Sequence, residues 1–300
     1  MDKNFHANIN HYIITRFNIT LRDQMLNNQV DKIDVNTDEK YLQYRFSLFE
    51  EYTIPSIKNQ SNKNFDWIVL FSDKTPQKFK NKIQYIQAEL PNFRPIFLKS
   101  TDELEIILED IFKQERTGTL VTSRLDNDDA LSLNYIQLIQ NNIENNGKTE
   151  LLVFPNGIQF DLKKRVMTRY YFPNNHFSTL ICDQNNKLET ILGYNHMEIV
   201  NHFEVRFLSE EIPMWLELVH GGNILNRMFL KFSILVFDFS ILKKFGILNV
   251  IPPQNRAITY LLVIFNRPIN AYQILSKYGI KKTVIKIFIK IFNKLSKGAI

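Results

Sequence analysis

Between residues 11 and 145 the apolar positions alternate between short unbroken runs and a three-and-four spacing, the pattern of strands followed by helices. Runs at 11–18, 65–73, 93–98 and 120–125 read as strands, the second (Trp67-Ile68-Val69-Leu70-Phe71) apolar enough to be covered on both faces. From 38 to 57 the residues Leu42, Phe46 and Phe49, flanked by Tyr41, Tyr44, Leu48 and Tyr52, fall at helical spacing, and Pro55 limits that helix. Further helices are expected at 76–89, 102–115 and 132–145, the last stopped by Asn145-Asn146-Gly147. The repeated β-α-β order predicts an α/β fold with a mainly parallel sheet flanked by helices. Its ligand crevice lies at the carboxyl ends of the strands.

After 147 the pattern loosens. Residues 151–160 read as strand, turn and strand, and 165–172 as extended chain with Tyr170 and Tyr171 partly exposed. Beyond Asn223 the character changes again: 224–251 is apolar with Lys231, Lys243 and Lys244 interspersed, Pro252-Pro253 interrupts it, and 257–265 resumes. Residues 1–223 are therefore expected to form one α/β domain and 224–300 a helical, basic extension. Within 281–297, Lys282, Lys286, Lys290 and Lys294 recur four apart, opposite Val284, Ile285, Ile287, Phe288, Ile291, Phe292 and Leu295. This is the pattern of an interfacial helix on an anionic membrane surface. A terminal helix packed on its own domain, with solvated lysines, is the alternative. The basic face lacks the interleaved aromatics of a nucleic-acid platform, so nucleic acid is not expected as a partner.

Composition narrows the picture. The 300 residues are 44% hydrophobic with 24 Phe, enough for a sizeable core. A net charge of +6 points to anionic partners without choosing among them. Cys182 is the single cysteine, which excludes an intrachain disulfide and a multi-cysteine zinc site and fits a reducing compartment. No secretory signal begins at Met1, and no run reaches the roughly 18–20 apolar residues of a membrane span. The expected location is cytoplasmic, peripheral on the inner face of the membrane.

The chemistry concentrates where strand 120–125 runs into Asp126, Asp128 and Asp129. On an extended chain Asp126 and Asp128 share a face, and like charges held close call for a cation or a set of donors between them. Mg²⁺ or Mn²⁺ is the expected cofactor, completed by a nucleotide diphosphate. The plainer reading is a turn capping a helix that begins near Ser132. Arg16 and Asp73, at the ends of two other strands, converge on the same crevice as candidate nucleotide contacts. Arg45 either snorkels past the apolar face of its helix or reaches into the donor pocket.

Ser123-Arg124-Leu125-Asp126-Asn127-Asp128-Asp129-Ala130-Leu131 resembles the Asp-x-Asp region of GT-A-type nucleotide-sugar glycosyltransferases. Together with Arg45-Phe46-Ser47-Leu48-Phe49-Glu50, Thr53-Ile54-Pro55-Ser56-Ile57 and Trp215-Leu216-Glu217-Leu218-Val219-His220-Gly221-Gly222-Asn223, it is similar to the rhamnosyltransferase family within that group, over roughly residues 10–225. The resemblance implies a GT-A-like (Rossmann-like) fold and transfer of a sugar from a nucleotide-sugar donor to a saccharide or lipid-linked acceptor. It implies metal ligation by Asp126, Asp128 and Asp129, with His220 as a further ligand or a diphosphate contact, and donor contacts from Arg16, Arg45, Asp73, Arg124 and Asp126. A general base is sought among His196, Glu198, Glu210 and Glu211. The rival readings are a nucleotidyltransferase, which lacks a Gly-rich phosphate loop, and a non-catalytic membrane-surface binding protein.

Overall fold

The computed structural model describes residues 9–19, 37–99, 102–114, 118–144, 147–182, 189–194, 198–220 and 234–248. The chain divides into two compact units: Met1–Ile158 with Tyr171–Leu218 and Asp238–Val250, and Gln159–Tyr170 with Val219–Phe237 and Ile251–Ile300.

The described chain carries the expected alternation. Strand β1 (Ile9–Arg16) leads to helix α1 (Glu39–Leu48), β2 (Asp66–Ser72), α2 (Gln77–Glu89), β3 (Phe93–Leu98), α3 (Asp102–Gln114) and β4 (Thr119–Arg124). Then come β5 (Ala130–Leu131), α4 (Tyr135–Asn141), β6 (Glu150–Val153), β7 (Asn156–Asp161), β8 (Val166–Tyr171), β9 (Thr179–Cys182), β10 (Glu204–Phe207) and β11 (Trp215–Val219). Seven strands form one sheet in the order β10-β6-β9-β4-β1-β2-β3. Every neighbouring pair is parallel except those of β9, which runs against both β4 and β6. The α/β, mainly parallel architecture expected from the sequence is thus present.

Alternation along the strands builds a core on each face of this sheet. Tyr12, Ile14, Ile68, Leu70, Leu120 and Leu180 pack with Leu108 and Phe112 of α3. The intervening residues Trp67 and Phe71 face an aromatic cluster in which Phe17 lies 4.4 Å from Phe46, 5.1 Å from Phe49 and 4.9 Å from Phe71 between ring centroids. Helix α2 places Phe79, Ile83 and Ile86 on one buried stripe, each side chain contributing about 1.5–3 kcal/mol.

The helix expected over 38–57 spans Glu39–Lys58, but not as one regular helix: α1 continues as a π-helical turn, Phe49–Thr53, and then as α-helix Ile54–Lys58, so Pro55 lies within it and does not end it. The i→i−5 bond from Ile54 N–H to the Phe49 carbonyl shifts the ladder there, and Pro55 falls in the first turn of the new segment, where its missing N–H costs nothing. The helix expected at 132–145 is shorter, Tyr135–Asn141, and at its start Ser132 N–H donates to the Met214 carbonyl at 3.0 Å instead of entering a helical ladder. Residues of the expected extension also enter the first unit: Phe239–Phe245 forms a 3₁₀ helix with Phe239, Leu242 and Phe245 buried, and Leu133 N–H donates to the Lys244 carbonyl. The amphipathic stretch 281–297 lies outside the described residues.

Gly157 sits against the indole of Trp215, where a Cβ would overlap the ring. Trp215 is held by its Nε1–H donating to the Phe154 carbonyl at 2.8 Å and cannot retreat freely. Gly157→Ala is therefore expected to destabilise the protein by about 3 kcal/mol, read as a lowered urea midpoint at unchanged m-value.

In the second unit β8 pairs antiparallel with β12 (Ile234–Val236) through Met167, Thr168 and Arg169. The turn before β8 is closed by Lys164 N–H donating to Asp161 Oδ1 at 2.8 Å, with Arg165 at φ 52°. Among the described residues, no helix is long and apolar enough to cross a membrane.

Candidate active site at the carboxyl end of the sheet

Strand β4 ends in Arg124, and Leu125 N–H still bonds to the Ile14 carbonyl of β1 at 3.2 Å. The chain then turns sharply, Asp129 N–H donating to the Asp126 carbonyl at 3.3 Å. This turn corrects the same-face expectation for Asp126 and Asp128, because the chain there is not extended. It also removes the helix-cap reading: α4 begins at Tyr135 with Asn134 ahead of it, and β5 intervenes.

Each carboxylate consequently has its own surroundings. Asp126 receives Arg124 Nε at 3.2 Å and Arg124 Nη2 at 3.4 Å, and keeps about a third of its side chain (35%) exposed. Burial works against its charge, but Arg124, His176 and Arg16 hold its carboxyl well below the usual carboxylate range. Asp128 pairs with Arg45 Nη1 at 2.9 Å, and Arg45 also donates to Asn127 Oδ1. Asn127 in turn anchors the loop by donating to the Phe17 carbonyl at 2.7 Å. Asp129 is fully buried, accepting Leu218 N–H at 2.9 Å and lying 2.9 Å from His176 Nε2. Burial, then Asp128, Glu217 and Asp126, push its carboxyl well above the ordinary range.

The structure therefore brings together Arg16, Arg45, Arg124, Asp126, Asp128 and Asp129. Arg16 stands close enough to sense both neighbours: burial and Arg124 lower its pKa, and Asp126 opposes them. Asp73 stands at the end of β2, with β1 between it and β4. One of its carboxylate oxygens, Oδ1, is buried without a hydrogen-bond partner among the described residues, which suits a group awaiting a ligand donor. Glu198 and Glu211 are exposed, Glu198 beside the short 3₁₀ helix Ile199–Asn201 and Glu211 in the loop before β11. Among the described residues, no hydrogen bond or ion pair ties Glu198, Glu210 or Glu211 to the acidic turn. His196 lies outside the described residues, and His220, buried, belongs to the second unit.

Two side chains of this site escaped the sequence. His176 arrives because β9 is antiparallel to β4: Thr179 pairs with Ser123, so the residues preceding β9 reach the carboxyl end of β4. Its Nε2 lies 3.9 Å from Asp126 Oδ2, and Asp126, Asp129 and His176 offer three ligand atoms within 4.8 Å of one another. Nothing local marks His176 in Asn174-Asn175-His176-Phe177. Glu217 did carry a signal, as a lone acid inside the apolar strand Trp215-Leu216-Glu217-Leu218-Val219.

Comparison with solved structures finds Staphylococcus aureus TarS, residues 1–349, at a TM-score of 0.40 and 9% identity, with 70% of this chain and 60% of that chain covered. A putative nucleotide-diphospho-sugar transferase from Desulfovibrio desulfuricans G20 aligns at a TM-score of 0.36 and 9% identity, covering 71% of this chain and 81% of that one. The chain thus spans under two thirds of the TarS structure's length. No curated protein matches the chain in sequence. A family profile does: residues 10–231 match the family described as "Putative rhamnosyl transferase", and the chain belongs to that family.

Proposed function

We propose that this protein is a glycosyltransferase that moves a sugar, rhamnose by its family's description, from a nucleotide-diphosphate donor to a glycan or lipid-linked acceptor, using Mn²⁺ or Mg²⁺ held by Asp126, Asp129 and His176. The observation that carries this reading is the meeting of two carboxylates and an imidazole at the end of β4, ringed by Arg16, Arg45 and Arg124. The donor set fits such an ion. Carboxylate oxygens suit both metals, the imidazole favours Mn²⁺, and the crowding of Asp129 by Asp128, Glu217 and Asp126 leaves negative charge that a cation would relieve.

The bound ion would supply charge neutralisation for the departing diphosphate. Arg16 and Arg124 stand beside Asp126 to add fixed positive charge where that anion develops, and Asp128 holds Arg45 at the same rim. Asp73 is assigned to the nucleotide. In an inverting reaction the acceptor hydroxyl gives its proton to Glu198, Glu211 or His196, the first two exposed and open to an incoming sugar. The basic face at 281–297 is assigned to an anionic membrane surface.

The test is donor turnover by the full chain. With a panel of nucleotide sugars and Mn²⁺, release of nucleoside diphosphate is expected, abolished by EDTA and restored by excess Mn²⁺. Turnover that ignores EDTA removes the ion from the mechanism. No release with any donor removes the enzyme.

A further inference from the structure

His176 sits on a loop, and a loop residue holds a ligand position only if its neighbours fix it. Here both neighbours are held. The Asn175 side chain donates to the Phe154 carbonyl at 2.9 Å and the Phe172 carbonyl at 2.7 Å, while its Oδ1 accepts Phe177 N–H at 3.0 Å. On the other side the Tyr135 hydroxyl, fully buried, donates to the Phe177 carbonyl at 2.6 Å and lies 3.1 Å from Thr179 Oγ1. The Phe177 ring stacks on Trp215 with centroids 4.9 Å apart and planes 9° from parallel, and His176 packs on Phe177 at 4.1 Å.

We infer that Tyr135 is a positioning residue for the ion site: through the Phe177 carbonyl it sets the backbone from which His176 reaches Asp126 and Asp129. Its hydroxyl belongs to a chain that crosses the sheet. Thr179 Oγ1 lies 2.6 Å from Ser123 Oγ, and Ser123 Oγ lies 2.8 Å from His11 Nε2. The chain thereby ties β1, β4, β9 and α4 into one support beneath the acidic turn. Tyr135 is not among the residues that offer a ligand atom and reaches them only through the Phe177 backbone, so its effect must appear as affinity and must pass through His176.

The inference rests on the ion-binding reading above, and one titration separates their failures. Mn²⁺ is titrated calorimetrically into the full wild-type chain and into Tyr135→Phe, His176→Ala and the double variant, each checked for a cooperative thermal transition. Tyr135→Phe keeps the ring and removes only the hydroxyl. It is expected to weaken Mn²⁺ binding by about 10-fold, the scale of a support residue behind a ligand. In the His176→Ala background the same change is expected to cost nothing further. Wild-type affinity in Tyr135→Phe, or an equal loss in both backgrounds, overturns the positioning role alone. A wild-type chain that takes up no Mn²⁺ overturns the ion reading, and the positioning role with it.

Discussion

Asp129→Asn is expected to melt at a higher temperature than the wild type in EDTA, while donor turnover with Mn²⁺ falls by roughly 10²–10³-fold. The two effects have one cause. Asp129 is buried among Asp128, Glu217 and Asp126, so its carboxyl is held above its ordinary value of 3.8. A carboxyl whose folded pKa exceeds its unfolded one loses stability as pH rises from the unfolded value toward the folded value. Each pH unit of that interval costs about 1.4 kcal/mol, which in a domain of this size moves the melting temperature by about 2–4 °C per kcal/mol. Asparagine escapes the cost while its Oδ1 still accepts Leu218 N–H and its Nδ2 faces His176. The gain should therefore be larger at pH 7 than at pH 4, and Mn²⁺ should raise the wild-type transition but not that of the variant. A variant that melts below the wild type at pH 7 would mean that the hydrogen bonds of Asp129 outweigh its crowding.

Through His11, acidification should cost the fold stability from pH 6.5 downward, opposite in sign to the relief it brings at Asp129. This histidine is buried in β1, with Nε2 at 2.8 Å from Ser123 Oγ and Nδ1 at 3.4 Å from Gln140 Nε2. The Gln140 amide can only donate to Nδ1, so the ring is neutral with its proton on Nε2, donating to Ser123. Burial lowers its pKa from 6.5 to about 3. The unfolded chain thus binds a proton below pH 6.5 that the folded chain refuses until pH 3. Stability is complete above 6.5 and declines as pH falls through that window, by about 4–5 kcal/mol in all. That is a large share of the about 5–15 kcal/mol of a typical domain. His11→Gln supplies an amide donor for Ser123 without a titrating group. Urea midpoints between pH 7 and 4 should fall less steeply in His11→Gln than in the wild type. Asp126, whose carboxyl is depressed, adds its own loss only below the ordinary 3.8, so the two contributions separate by pH. Parallel curves for the two proteins would remove His11 as the source.

Most of the scaffold was legible in the chain. The unbroken apolar run of β2 and the 79, 83, 86 stripe of α2 each report a local geometry that burial enforces, and local geometry is what residue spacing encodes. The acidic turn was legible as well, because charge at the end of an apolar strand has few other places to go. Its internal arrangement was not. A single tight turn between Asp126 and Asp129 sends three neighbouring carboxylates different ways: Asp126 to its near neighbour Arg124 and to Arg16, Asp128 to Arg45, and Asp129 to His176, the last three partners all distant in sequence.

What the sequence determined by itself is the layered α/β frame, the acidic turn at the end of β4, and the family. Only the tertiary structure decided which side chains meet there. The antiparallel insertion of β9 between β4 and β6 delivers His176 to the acidic turn, and the pairing of β5 with β11 places Glu217 in a strand paired to the one that follows that turn. Strand order and direction depend on pairings between segments far apart along the chain, Ser123 with Thr179 and Ala130 with Leu216 among them, and no spacing along the chain records them.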